Sequence, residues 1–254
     1  APLQLLQQTA QPWPFTLHLK SSGGWLHAGG TLDLRQAEAR FHLGAGADDL
    51  AQVGRLLGAS WPQVGAATLS GAVVARADGI ALTGLQGTVG ESAFSGQLAL
   101  SFAGARRRLS GALRLAALDL RPFVGPEAQP PNDASALQVL ALRDLVPADL
   151  DLELSVGRWL GLPVRIDDAK LALRADARGV RAPLSATIAG ADFSGRVDLD
   201  LAAPMPTLAL QLDARRVPLG SLARDLVGIE GIDGRLGHAG LRLGGRGETT
   251  GAVL

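Results

Sequence analysis

Cysteine and tyrosine are absent from the 254-residue sequence, and aromatic residues make up only 4% of it. Without cysteine, the chain has no disulfide framework, no iron–sulfur cluster and no thiolate zinc site. The 24 basic and 24 acidic residues cancel, so the basic excess that is typical of nucleic-acid binders is missing. These absences exclude thiolate chemistry and argue against a nucleic-acid partner.

Catalytic and cofactor-binding motifs are missing as well. There is no Gly-x-Ser-x-Gly elbow, Walker loop or dinucleotide-binding glycine motif. The histidines lack the spacing of metal ligands, and only His18 and His42 are candidates for strand neighbours. The aspartate pair at 167–168 is expected at a turn. We predict that the protein is not an enzyme and holds no metal or cofactor.

Long hydrophobic runs are also missing. No apolar run approaches the ~18 residues that cross a bilayer as a helix, and no signal-peptide pattern opens the chain. Both termini have the character of cuts through a longer protein, so we expect this chain to be a fragment.

Glycine is the most informative residue that is present, at 33 of 254 residues, roughly double the usual ~7%. With 47% hydrophobic residues and no net charge, the chain can still bury a core. Glycine recurs with Asp and Pro at turns between segments that alternate apolar and polar residues, such as 94–102 and 150–156. Such segments are typical of half-buried strands joined as antiparallel meanders.

Three segments have helical rather than alternating spacing, at 48–57, 134–145 and 219–227. The stretch GPEAQPPNDAS at 125–135 has the composition of a linker. The predicted organisation is a first β module at 1–124, a linker with a short helix at 125–147, a second β module at 148–228 and the truncated start of a third module at 229–254.

An internal repeat is the strongest single feature of the sequence. Phe-Ser-Gly occurs at 94–96 and again at 193–195, and the same offset keeps the apolar positions of the two copies in phase for some thirty residues. Each copy has one apolar face and few aromatic residues, so modules that stand side by side are expected to form one long sheet with a continuous apolar surface.

The repeated block GESAFSGQLALSFAGARRRLSGALRLAALDLRPF at 90–123 resembles the C-terminal domain of the AsmA family. The shared pattern is a small-residue turn, an apolar-Ser-Gly strand, a Gly-Ala-Arg hairpin, a Leu-Ser-Gly-x-Leu strand and a closing Leu-Asp-Leu. Segments 48–90 and 148–201 are similar to the same domain, and the resemblance covers most of the chain from about residue 15. The second copy departs from the pattern where AGARRRLSG becomes AAPMPTLAL.

The resemblance implies a mainly β protein with a long, curled antiparallel sheet, an open taco-like groove of tandem modules and a few short helices. It implies a bacterial envelope protein, related to the TamB group, that lies in the periplasm and is anchored in the inner membrane by a helix outside this sequence. The larger relatives resemble bridge-like lipid transfer proteins. The implied function is to bind phospholipid acyl chains and to support lipid transport between the inner and outer membranes and outer-membrane biogenesis, with an outer-membrane or periplasmic protein as a possible partner.

The candidate lining of such a groove is the set of large apolar residues on one strand face of the two copies. They are Phe94, Leu98, Leu100, Phe102, Leu113, Leu115, Phe193, Val197, Leu199, Leu210 and Leu212. The same residues have an alternative interpretation as ordinary core that packs against helices or against each other. The basic run Arg106, Arg107 and Arg108 is expected to cap an exposed hairpin, with contact to lipid phosphate at the groove rim as the functional alternative.

Two further function classes compete with a lipid-binding protein. The first is a structural or regulatory scaffold for outer-membrane protein assembly, whose sheet binds a protein and no lipid. The second is an all-β hydrolase or carbohydrate-binding module, which the absence of tyrosine and of clustered carboxylates disfavours.

Overall fold

The structure is a computed structural model, and it describes residues 11–49, 65–119, 121, 148–162, 164–202, 205–221, 224, 231 and 234–246. Nearly all of these residues belong to strands. The strands are β1 Trp13–Ser21, β2 Gly24–Asp33, β3 Glu38–Ala47, β4 Ala67–Arg76, β5 Gly79–Val89, β6 Ser92–Ser101, β7 Arg107–Asp119, β8 Ala148–Leu160, β9 Ile166–Asp176, β10 Gly179–Ile188, β11 Ala191–Asp200, β12 Thr207–Pro218 and β13 Arg235–Arg246.

The strands are hydrogen-bonded in the order in which they occur along the chain, from β1 to β13, in a single sheet. Neighbours run antiparallel, as the registers of β1 with β2 and of β11 with β12 show. The first and last strands of the described part stand at opposite ends of this order, so the sheet is open. The predicted fold class, mainly β with one long open antiparallel sheet of repeated modules, is confirmed.

The chain divides into two compact units, Ala1–Leu113 and Arg114–Leu254, which are described separately below. The first unit contains β1 to β6 and the beginning of β7. The second contains the end of β7 and β8 to β13.

Short polar turns join neighbouring strands, as the sequence predicts. In the second unit, Asp176 Oδ1 accepts hydrogen bonds from the backbone N–H groups of Arg178 and Gly179, at 2.7 and 3.2 Å. In the first unit, Asp33 Oδ1 accepts from the N–H groups of Arg35 and Gln36, at 2.9 and 3.1 Å. An aspartate at the end of a strand thus satisfies the backbone donors of the turn that follows it.

The predicted repeat is visible in the pairing of the strands. Gly195 in β11 lies directly opposite Leu212 in β12. In the other copy, a Cβ on Gly96 would lie 3.1 Å from the Cα of Leu113 and only 2.0 Å from the carbonyl oxygen of Ala112. The offset that relates Gly96 to Gly195 therefore also relates Leu113 to Leu212. In both copies, the glycine of the Phe-Ser-Gly motif lies where the next strand approaches closely.

Little of the predicted helical structure falls on described residues. Residues 219–221 and 224 are helical and directly follow β12, in agreement with the segment predicted at 219–227. Asp48 and Asp49 are not helical, and the remainder of the segment at 48–57 lies outside the described residues. The linker at 125–147, with its predicted helix at 134–145, lies wholly outside them. Within the described residues, no helix has the length and apolar character needed to cross a membrane.

Replacing Gly195 by alanine tests the close approach between β11 and β12. The added methyl group would lie 2.5 Å from the carbonyl oxygen of Gln211 and 2.6 Å from Leu212 Cδ2. Because a close-packed contact cannot absorb an extra carbon without displacement, we expect Gly195→Ala to lower the free energy of unfolding by about 1–3 kcal/mol. Gly237→Ala is the matched control, since a Cβ there would meet nothing within 4 Å. Equal denaturation midpoints for the two variants would contradict the assignment.

Candidate functional site

The second unit presents a continuous apolar face that is built from residues paired across its strands. Since directly opposed residues of antiparallel strands point to the same side of a sheet, the register fixes the members of each row. The rows run as follows: Leu150, Ala175, Val180, Leu199 and Leu208; then Ala182, Val197, Leu210 and Leu243; then Leu154, Leu171, Leu184, Gly195, Leu212 and Leu241.

The first unit has a similar face of its own. Its rows include Leu32, Ala39, Ala75, Ile80 and Leu100; then Phe41, Val73, Leu82 and Leu98; then Leu26, Ala45, Leu69, Gly87 and Phe94. Small residues alternate with large ones along each row. Rings and branched side chains can therefore lie over the positions where a neighbouring strand has glycine or alanine.

The structure brings together most of the candidate lining residues within each unit. Val197 is paired with Leu210, Leu199 with Leu208, and Leu212 with Gly195, all on the apolar face of the second unit. Phe193 packs against a small buried cluster of Ala191, Ala214 and Val217.

In the first unit, Leu98 and Leu100 are opposite Leu82 and Ile80. The ring of Phe94 covers Gly87, where an added Cβ would lie 2.5 Å from Phe94 Cζ. Leu113 lies beside Gly96 in the adjacent strand. These four candidate residues therefore belong to the apolar face of this unit.

Phe102 and Leu115 stand apart from these groups. Phe102 follows the end of β6, is 38% exposed, and has the guanidinium of Arg107 5.8 Å from its ring centroid. Leu115 lies in the part of β7 that belongs to the second unit and is half-buried. Arg106 lies in the turn before β7, while Arg107 and Arg108 begin that strand, and all three side chains are exposed.

Several residues of the apolar face were missed by the sequence analysis, because irregularities break the alternation. The pairing of β5 with β6 shifts between Leu82 and Leu85, where Gly84 has a φ of +59°. The bulge places Leu82 and Leu85 on the same face although they are three residues apart. Gly84, a glycine inside an apolar stretch, was the signal for this bulge in the sequence. Leu85 is one of the most deeply buried side chains of the described residues, at 2% exposure.

The apolar faces are only partly covered. In the second unit, Leu241 and Leu243 are 47% and 42% exposed although they lie in the apolar rows. In the first, Trp13 and Leu17 are 40% and 43% exposed. Among the residues that the structure describes, the buried apolar ones are mainly alanine and valine, and the only large side chains with about 2% exposure are Leu85 and Val156. Within the described residues, the large apolar side chains are thus left partly accessible rather than enclosed in a core.

The opposite faces carry ion pairs between neighbouring strands. Arg174 Nε lies 3.2 Å from Asp151 Oδ1, and Arg216 contacts Asp192. In the first unit, Arg76 Nε lies 2.6 Å from Glu38 Oε2, and Arg40 contacts the other oxygen of the same carboxylate. The residues of these ion pairs alternate with the apolar residues along the strands and therefore lie on the opposite side of the sheet. Each unit thus has one ionic face and one apolar face.

Glu38 is the most enclosed of these charged groups, with a side chain only 7% exposed. The hydrogen bonds donated by Arg40 and then Arg76 hold the pKa of its carboxyl below the usual range, against the opposing effect of burial. The charged carboxylate is therefore favoured in the folded state, and protonation weakens both bonds.

The histidines are arranged differently from the expectation. The strand partner of His18 is His27, with ring centroids 4.4 Å apart and an interplanar angle of 24°, whereas His42 is paired with Gly29. In the part of the chain that the structure describes, no three histidine, aspartate or glutamate side chains are grouped closely enough to hold a metal ion.

Comparison of the chain with protein-family models, with curated proteins and with solved structures finds no match. The resemblance to the AsmA family therefore rests on the quoted sequence pattern alone.

Lowering the pH tests the role of Glu38. Because the pKa of Glu38 is lowered on folding, its contribution to stability is present above the ordinary glutamate pKa of about 4.3 and is lost as the pH falls through the lower folded value. We expect Glu38→Gln to be less stable than wild type at pH 7, with a difference that shrinks as the pH falls toward 3. Unfolding in urea at each pH measures this, with Glu153→Gln, an exposed glutamate of β8, as control. A Glu38→Gln difference that is constant with pH would refute the assignment.

Proposed function

We propose that this chain binds the acyl chains of phospholipids along its apolar faces, as a periplasmic segment of an AsmA-like envelope protein. In this role it supports lipid transport between the inner and outer membranes, and thereby outer-membrane biogenesis. The inner membrane, phospholipid and an outer-membrane or periplasmic protein are the partners that the resemblance implies.

The observation that carries the proposal is the accessibility of apolar side chains that lie in register. Leucines such as Leu241 and Leu243 line up with Leu212 and Leu210 across β12 and β13 and remain nearly half exposed. A soluble sheet normally buries such a face against a second layer. Flexible alkyl chains are a suitable covering, because they fill irregular apolar surfaces without needing hydrogen-bond partners.

The energetics favour this occupant. Burying each CH₂ group contributes about 0.8 kcal/mol, so ten methylene groups of one acyl chain contribute about 8 kcal/mol before the entropy of ordering the chain is subtracted. The attraction is non-directional. A lipid can therefore move along rows of leucine, valine and alanine without breaking specific bonds.

The small residues of the rows support the same interpretation. Alanine and glycine, for example Ala182 beside Val197 and Gly195 beside Leu212, keep parts of the face shallow. The ring of Phe94 lies over Gly87 instead of projecting freely. Such a surface leaves room for chains of atoms about as thick as a methylene group.

Photocrosslinking tests whether lipid occupies the apolar faces. We expect a photoreactive amino acid at position 98 or 199 to form adducts with phospholipid from vesicles of phosphatidylethanolamine and phosphatidylglycerol. Positions 97 and 196 are the matched controls, because Gln97 and Arg196 are exposed and alternate with the apolar residues of β6 and β11. Mass spectrometry of the adducts should give at least a tenfold excess of lipid at 98 and 199.

Equal labelling at all four positions, or no lipid adduct at any of them, would contradict the proposal. Adducts to a protein at 98 and 199 in live cells, with no lipid, would favour the scaffold alternative.

Substitution of Arg106, Arg107 and Arg108 by serine tests the rim contact. The three side chains are exposed, so we expect the free energy of unfolding to change by no more than ~0.5 kcal/mol. If the arginines hold lipid phosphate, the amount of phosphatidylglycerol bound per chain should fall at least twofold. Unchanged folding together with unchanged lipid occupancy would leave these residues as a hairpin cap only.

A further inference from the structure

An open cleft lies in the second unit, where β8 ends and β9 begins. Its volume is about 480 Å³, within the range of small-molecule sites. The lining comes from one short stretch of chain: Arg158, Trp159, Leu160, Gly161, Leu162, Val164 and Arg165. None of the lining residues belongs to the candidate groove lining or to the basic run Arg106–Arg108.

Charge at this cleft is unbalanced. Arg158 Nε lies 3.4 Å from Asp167 Oδ1, and Arg165 Nε lies 2.5 Å from Asp167 Oδ2. Two guanidinium groups therefore share one carboxylate. Both arginine side chains are more than half exposed, whereas that of Asp167 is 20% exposed. The arrangement leaves a net positive charge at an accessible mouth.

A third arginine lies beside the same turn but is already neutralised. Gly161 has a φ of +82°, and a Cβ there would lie 2.5 Å from Arg121 Cγ, so the absence of a side chain lets Arg121 approach. Arg121 in turn makes a 2.6 Å ion pair with Asp119. The excess charge at the cleft therefore comes from Arg158 and Arg165.

The remaining lining is apolar. Leu160 and Leu162 are half-buried, and Val164 is 8% exposed. The cleft thus combines two cationic side chains with aliphatic side chains within one short stretch of chain. A ligand that satisfies it has several acceptor oxygens, a negative charge and an apolar part.

We propose that the β8–β9 cleft binds a phosphate monoester or diester, with its oxygens on Arg158 and Arg165 and its apolar substituent on Leu160, Leu162 and Val164. Guanidinium forks offer donors only, and a phosphate presents several acceptor oxygens to them. Where the phosphate belongs to a lipid, the inference rests on the proposed function and adds a fixed position for the head group. Free phosphate has the same recognition chemistry.

The test uses three probes on the full chain: inorganic phosphate, n-decyl phosphate and n-decyl maltoside, each below its micellar concentration and measured by isothermal titration calorimetry. The test variant carries both Arg158→Gln and Arg165→Gln. Arg174→Gln is the control, because it removes an exposed arginine that pairs with Asp151 and does not line the cleft. Circular dichroism establishes that each variant is folded.

We expect the double variant to bind decyl phosphate at least tenfold more weakly than wild type. Decyl maltoside binding should be unchanged in every variant, and Arg174→Gln should match wild type with all probes. Decyl phosphate that binds at least tenfold more tightly than inorganic phosphate supports a lipid-borne group. Equal affinities, both sensitive to the double variant, support a site for free phosphate.

Wild-type affinity for both phosphate probes in the double variant would overturn the inference. This failure is distinct from failure of the proposed function. If lipid adducts form at positions 98 and 199 but the cleft shows no selectivity for phosphate, the proposed function stands and the inference about the cleft fails. If the cleft binds phosphate but no adducts form at those positions, the inference about the cleft stands and the proposed function fails.

Discussion

The register of the antiparallel ladder is the constraint on which the rest of this structure depends. Backbone hydrogen bonds between consecutive strands place residues opposite one another, and the alternation of side chains then assigns each pair to one face. A slip of one residue between β11 and β12 would move Leu210 and Leu212 from the apolar face to the ionic one. The close contacts at glycine and the cross-strand ion pairs both require the observed register, so each helps to hold it.

The composition of the rows explains why the apolar faces remain accessible. Large side chains need a facing layer to become buried, and most residues that are deeply buried here are small enough for their own strand neighbours to cover them. Ala191 is fully buried beside Phe193 and Ala214, whereas Leu243 in the last strand is 42% exposed. Folding buries such leucines only in part, so covering them with an apolar ligand would bury further apolar surface and contribute free energy to binding.

The mainly β class, the order of neighbouring strands and the Phe-Ser-Gly repeat could be predicted from the sequence, because alternation and turn residues act over short distances. The side of the sheet on which Leu85 lies could not be predicted, because the bulge at Gly84 interrupts the alternation of side chains along the strand. The partner of His18 was also missed. Which strand pairs with which depends on the tight turn after Ser21, and that turn brings His27 rather than His42 into place.

The cleft beside β8 shows why a candidate site of this kind is harder to predict than a face. Arg158 and Arg165 have no alternation or motif spacing in common. Their convergence arises because Gly161 allows a turn with positive φ and because both arginines reach the same carboxylate. In the proposed function, an apolar face that repeats along a sheet lets a ligand slide, whereas a single polar cleft holds one group in place. The proposed binding of amphiphiles requires both properties, while the binding of hydrocarbon alone requires only the first.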